Sequence, residues 1–155
     1  MTIELAPIRG VASHYGVRTS NNSLGGQEST KEGIVKSAEW SFSYDNLSAT
    51  LNSNLAQTIP ANASIVEAKL YVDTAWVGGT NLTIGLYTPA GVEIDADGLV
   101  AATVTATLTA NKVVTGAGAL VGTTIGANAG QLVAATTGTY TAGTARVVVK
   151  FKYNV

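Results

Sequence analysis

The sequence contains no cysteine. That excludes a disulfide framework and a thiolate metal centre, and it makes folding independent of redox state. Charge is scarce as well: charged residues are 12% of the 155-residue chain and sum to a formal net charge of -1, whereas about a quarter is usual in a soluble domain. The shortage is concentrated. From Leu99 to Ala145 the only charged residue is Lys112, and the stretch has no acid, histidine, serine or cysteine. A segment with so little ionisable material cannot hold a conventional acid–base or nucleophilic site. The bases Arg9, Arg18, Lys31, Lys36, Lys69, Lys112, Arg146, Lys150 and Lys152 are dispersed, so no basic stripe for nucleic acid forms. No run of about 20 apolar residues offers a membrane-spanning helix. The opening Met1–Pro7 lacks the basic-then-apolar order of a secretory signal. Synthesis in a cytoplasm is the expectation.

What the chain does have is alternation and turns. From Ile34, the residues Lys36, Ala38, Trp40, Phe42 and Tyr44 share one face, and Val35, Ser37, Glu39, Ser41 and Ser43 the other, as in a half-buried strand. Thr50–Gln57 is a second candidate strand. Ile59-Pro60-Ala61-Asn62-Ala63 predicts a turn, because Pro60 presets its own φ and Asn62 tolerates the left-handed region. The next strand spans Ile65 to Asp73, with Val66, Ala68, Leu70 and Val72 inward and Glu67, Lys69 and Asp73 outward. Gly78-Gly79 turns the chain into a strand carrying Leu82, Ile84 and Leu86 inward. Pro89-Ala90-Gly91 closes a hairpin into Val92–Ile94. Threonines at 103, 105, 107 and 109 predict strand over Ala101–Thr109, since β-branched side chains favour a pleated surface. Val113–Asn128, punctuated by Gly116, Gly118, Gly122 and Gly126, reads as a long loop or as short bulged strands. Arg146–Tyr153 is a final strand, with Val147, Val149, Phe151 and Tyr153 on one face.

Short strands between Gly, Pro and Asn turns, with no convincing helix, predict an all-β fold: an antiparallel β-sandwich or jelly roll. The polar, glycine-rich residues 1–33 stand apart from a body at 34–155. They are either a loose terminus or an arm that orders on a partner.

No motif carries chemistry. Glu93, Asp95 and Asp97 with Gly98 resemble the start of a calcium loop, but the position requiring the bidentate glutamate is Val104, so that motif fails. Period-two spacing places the three carboxylates on one solvent face instead. His14, the single histidine, lies beside Ser13 in the polar segment. Neighbours in a loop do not form a Ser–His dyad, which joins residues brought together by the fold. The spaced glycines match neither a dinucleotide nor a Walker A pattern. Catalytic, cofactor and metal residues are therefore expected to be none. Trp40 belongs to the inner row of its strand. Trp76 is either core or a contact residue near a loop tip.

The stretch from about residue 57 to 155 resembles small β-sandwich virion proteins of tailed bacteriophages, in particular capsid decoration (cement) proteins. The resemblance rests on Ile59-Pro60-Ala61-Asn62-Ala63-Ser64-Ile65, Leu70-Tyr71-Val72-Asp73, Gly79–Gly85, Asp97-Gly98-Leu99-Val100 and the closing Val147–Tyr153 strand. It implies a homotrimeric jelly-roll body on the exterior of the head, bound to the major capsid protein, with the arm adding contacts. No enzyme activity, cofactor, nucleic acid or membrane is implied. Arg9, His14, Tyr15 and Arg18 on the arm, with Trp76 and Tyr87 on the body, are the candidate contact residues. The alternative is a receptor- or glycan-binding module of a tail fibre or cell-surface adhesin, which would display Trp76, Tyr87 and Tyr15. The uncharged Leu99–Ala145 half is the expected oligomer-facing side.

Overall fold

The computed structural model describes residues 35–47 and 58–152. The arm at 1–33, the candidate strand at Thr50–Gln57 and the contact candidates Arg9, His14, Tyr15 and Arg18 lie outside the described residues. Eight strands follow in chain order: β1 (Val35–Ser43), β2 (Thr58–Ile59), β3 (Ser64–Gly78), β4 (Asn81–Tyr87), β5 (Glu93–Val104), β6 (Val113–Thr115), β7 (Gly130–Thr137) and β8 (Tyr140–Lys152). They make two four-stranded sheets, β1-β8-β3-β6 (sheet I) and β2-β7-β4-β5 (sheet II). Every pairing is antiparallel. The described residues thus form an all-β antiparallel sandwich, as the alternation predicts.

The pairing has a simple rule. β1 pairs with β8, β2 with β7, β3 with β6 and β4 with β5. The first half of the described chain lies along the second as a ribbon, hinged at the β4–β5 hairpin. Rolling that ribbon brings β8 against β3 and β7 against β4.

Between the sheets lie Ala38 and Phe42 of β1, Leu70, Val72 and Trp76 of β3, and Leu82, Ile84 and Leu86 of β4. Leu132 and Ala134 of β7 and Val147, Val149 and Phe151 of β8 join them. Alternation produces this set, because successive side chains of a strand point to opposite faces. Burying each large aliphatic side chain favours the fold by about 1.5–3 kcal/mol.

Three expectations need correction. Val66 does not face the core: a register irregularity between Ile65 and Glu67 inserts one residue, so Ile65 is buried at 1% and Val66 is 44% exposed. A bulge shifts parity in just this way. Strand structure stops at Val104, and Thr105–Thr107 forms a 3₁₀ turn. There the Thr105 hydroxyl bonds the Thr80 carbonyl and the Tyr140 hydroxyl, a local alternative to the ladder. Lastly, β3 runs beyond Asp73 to Gly78, which carries Trp76 into the core.

The glycine-rich span is both a short strand and a connection. After β6 the chain crosses between the sheets: Gly116 N–H donates to Ala68 O of β3 in sheet I, and Leu120 N–H to Gly98 O of β5 in sheet II. A Cβ at Gly116 would collide with the Leu99 carbonyl, and one at Gly118 with the backbone of Gly98. These glycines allow close backbone approach within the chain.

Candidate interaction surfaces

The acidic residues do not converge. β5 pairs Glu93 with Tyr87 but Asp95 with Leu86, across an irregularity that inserts a residue. Leu86 faces the core and Tyr87 faces outward, so Glu93 and Asp95 are not in phase, contrary to the period-two expectation. Asp95 Oδ1 instead accepts the backbone N–H of Asp97. Among the described residues no group of three or more histidine, cysteine, aspartate or glutamate side chains is placed to hold a metal ion. Nor is any described helix long and apolar enough to cross a membrane.

Trp76 is no surface platform. It is 4% exposed, edge-on to Tyr140 with ring centroids 5.1 Å apart at 89°, and 5.9 Å from the Phe42 ring. Its alternative role as a displayed contact residue is corrected on that ground. Trp40 is half-buried and stacks on Phe42 at 4.7 Å. Tyr87 is half-buried on the outward side of sheet II, and its hydroxyl donates to Glu93 Oε2 at 3.2 Å. Burial, then that carboxylate, raises its pKa above the ordinary phenol value.

The outward face of sheet I is a lattice of charges. Glu67 lies between Lys69 Nζ at 2.6 Å and Lys150 Nζ at 2.9 Å. The hydrogen bond from Lys69, then that from Lys150, holds the Glu67 carboxyl below the usual carboxylate range, and Glu67 in turn raises Lys69. Farther along, Arg146 bridges Glu39 at 3.4 Å and Asp73 at 3.8 Å while its guanidinium lies 4.5 Å over the Tyr71 ring. β1, β8 and β3 supply these groups because their polar positions share one parity in register. All are solvated, so they set the shape and sign of the face more than its stability.

Sheet II is different. Its four strands contain no lysine or arginine, and among the described residues no ion pair reaches Glu93, Asp95 or Asp97. Its β4–β5 hairpin ends in Val92, the most exposed large apolar residue among the described residues at 63%. The turn is closed by Gly91 N–H to Thr88 O, Thr88 N–H to Val92 O and Val92 N–H to the Thr88 hydroxyl. On sheet I, a shallow groove of about 800 Å³ runs across the end where β1 and β3 begin. Val35, Val66 and Val121 line it, rimmed by Lys36, Lys150 and Glu67. No local pattern marks this groove, since the bulge that turns Val66 outward has no glycine or proline at it. Val92 was legible only as the residue after a Pro-Ala-Gly turn.

No protein-family model and no curated protein matches the sequence. Among solved structures, a chain in the capsid of Ralstonia phage GP4 superposes with a TM-score of 0.56 at 19% identity, over 82% of this chain and 89% of that one. A chain in the capsid asymmetric unit of cyanophage Pam1 superposes more loosely, with a TM-score of 0.45 at 19% identity, over 89% of this chain and 98% of that one. The first likeness establishes a shared fold.

Proposed function

We propose that this protein is a non-enzymatic virion structural protein of a tailed bacteriophage, a cement protein that binds the outside of the head. The observation that carries the reading is the fold shared with a chain of the Ralstonia phage GP4 capsid over most of both chains. The rolled ribbon, with sheet orders 1-8-3-6 and 2-7-4-5, is how a jelly roll is built, and we read the body as one.

In this reading the partner is the lattice of the major capsid protein, and the chain acts as a homo-oligomer, a trimer by resemblance. Residues 1–33 serve as an arm reaching a neighbouring subunit, with Arg9, His14, Tyr15 and Arg18 as its contacts. Copies bound across joints between capsomers stabilise the shell by mass action, because they bind the assembled state and not free subunits. The sparse charge suits such a role, since interface cores are depleted of charged side chains. The glycan-binding alternative loses its main support: Trp76 is in the core, and the Tyr87 hydroxyl is engaged by Glu93.

Cosedimentation with empty heads tests the reading. The protein is expected to pellet with assembled shells, to raise the temperature at which they disrupt, and to ignore unassembled capsid protein. Binding to host envelope glycans with none to shells overturns it.

A further inference from the structure

We propose that β1 pairs with β1 of a second copy, antiparallel and across a two-fold axis, so that sheet I of each copy becomes half of one continuous sheet. This deepens the reading of the chain as a self-associating shell component, and rests on it only for what the pair is for. β1 is an edge of sheet I, and its register against β8 fixes which backbone groups are already used. Tyr44 N–H donates to Gly143 O, one step beyond the Ser43–Thr144 pair. Bonded and non-bonded pairs alternate along an antiparallel ladder. Phe42, Trp40, Ala38 and Lys36 therefore turn their N–H and C=O toward β8. Val35, Ser37, Glu39 and Ser41 turn theirs away, to a side where no strand pairs with β1 among the described residues. These four residues are all exposed. The row stops at Ser43, whose N–H donates to Asn46 Oδ1 and whose carbonyl accepts Asn46 N–H. The other edges differ. β2 has two residues and β6 three, and β5 is covered where its Gly98 and Leu99 carbonyls accept Leu120 and Gly118 N–H.

A row of open donors and acceptors on a sheet edge is satisfied by an extended strand. The spacing of the row says which strand. With Ala38 on the axis, Val35 meets Ser41 of the second copy and Ser37 meets Glu39, and the same pairs recur on the other side. Every open N–H and C=O is then used, and no acid faces an acid. Moving the axis to Glu39 would set two Glu39 carboxylates together and put Val35 against Ser43, which Asn46 already caps. In the Ala38 register the faces also agree: residues that point to the core in one copy lie beside core-facing residues of the other. A contact of this kind is isologous, so it joins two copies and stops. It does not close a trimer. Where copies also gather about a three-fold axis, it ties one group to the next.

Sedimentation velocity on the full chain reads the pairing, and the wild type is expected to form dimers. Ser37→Glu sets a carboxylate opposite Glu39 twice in each pair and is expected to weaken it about tenfold. Ser37→Lys sets an ammonium there and is expected to tighten it. Both effects should shrink in salt. Position 37 is exposed, and unchanged far-ultraviolet circular dichroism and thermal unfolding confirm that each variant folds. The chain has no cysteine of its own. Ala38→Cys is expected to cross-link two copies on oxidation, because residues on the axis form a close, non-bonded pair. Ser43→Cys, away from the axis, is not. A monomeric wild type, an association that both Ser37 variants leave unchanged, or an Ala38→Cys protein that cross-links no faster than Ser43→Cys overturns the proposal. Cosedimentation with shells keeps the two readings apart. A wild type that pellets with shells yet stays monomeric in solution overturns the pairing alone. One that dimerises as described and ignores shells overturns the cement reading alone.

Discussion

Trp76 and Gly143 fit one another: a Cβ on Gly143 would fall on the indole ring of Trp76. Gly143 also has φ of 137°, a backbone conformation that side chains resist. Here β3 and β8 pass close with a bulky ring between them, and only glycine leaves room. Gly143→Ala is expected to destabilise the fold by about 1–3 kcal/mol through overpacking. Trp76→Ala is expected to cost about 3–5 kcal/mol through the cavity it leaves. Urea denaturation followed by tryptophan fluorescence measures the first, and far-ultraviolet circular dichroism the second.

Tyr140 joins this aromatic cluster to the 3₁₀ turn through its 2.9 Å contact with the Thr105 hydroxyl. Tyr140→Phe keeps the ring and removes that bond. A loss of about 1 kcal/mol is expected. Thr105→Val should cost more, since Thr105 also bonds the carbonyls of Gly78 and Thr80. Comparison of denaturation midpoints at a common slope checks the order.

The Glu67 carboxyl titrates below its unfolded value because Lys69 and Lys150 bond it. Its contribution is therefore present above the ordinary glutamate pKa and is lost as pH falls through the lower, folded value. Lys69 is raised, so its contribution is full below the ordinary lysine pKa and is lost as pH rises through the folded one. A Glu67→Gln variant is expected to be less stable than the wild type at neutral pH. The gap should close toward acid pH, and it should shrink again in strong alkali. The effect is small because the groups are solvated. A gap that does not vary with pH refutes the assignment.

Tyr87 titrates above an ordinary phenol, chiefly because it is partly buried and next because Glu93 accepts its hydrogen bond. Ultraviolet difference titration of wild type against Tyr87→Phe isolates this group. Its midpoint is expected above that of free tyrosine. Glu93→Gln should lower it only part of the way, because burial is the larger cause.

Gly85 lies opposite the irregular part of β5, where a Cβ would strike the Asp95 carbonyl and the Ala96 backbone. Gly85→Ala is expected to cost about 1–3 kcal/mol and to loosen the β4–β5 pairing. Hydrogen exchange of the amides of Ile84 and Leu86 should quicken in that variant. Unchanged exchange would mean that the β5 bulge yields without strain.

Where alternation was unbroken, the sequence was a reliable guide. Leu82, Ile84 and Leu86 are all fully buried, and Asn62 adopts the left-handed conformation its turn required, with φ of 58°. Alternation misleads wherever a residue is inserted, because one extra residue reverses every face beyond it. That is why Val66 points outward and why Glu93 and Asp95 part company. Both insertions are set by the neighbouring strand, which no local pattern reveals. Trp76 was ambiguous for a related reason: Gly78-Gly79 looked like a loop tip, yet β3 stays paired with β8 right up to it. The groove on sheet I was hidden because residues distant in sequence build it.

The rolled ribbon places β8, the last strand of the sandwich to be made, in the middle of sheet I, between β1 and β3. Until it arrives, the two neighbouring strands have no partner on the sides that face it, and half the core has no lid. The β4–β5 hairpin can form as soon as it is synthesised, but sheet I has to wait for β8. Non-local closure of this kind slows folding and leaves open strand edges for longer. Until that moment β1 and β3 expose unpaired edges, which a completed β8 of another copy fits as well as the chain's own.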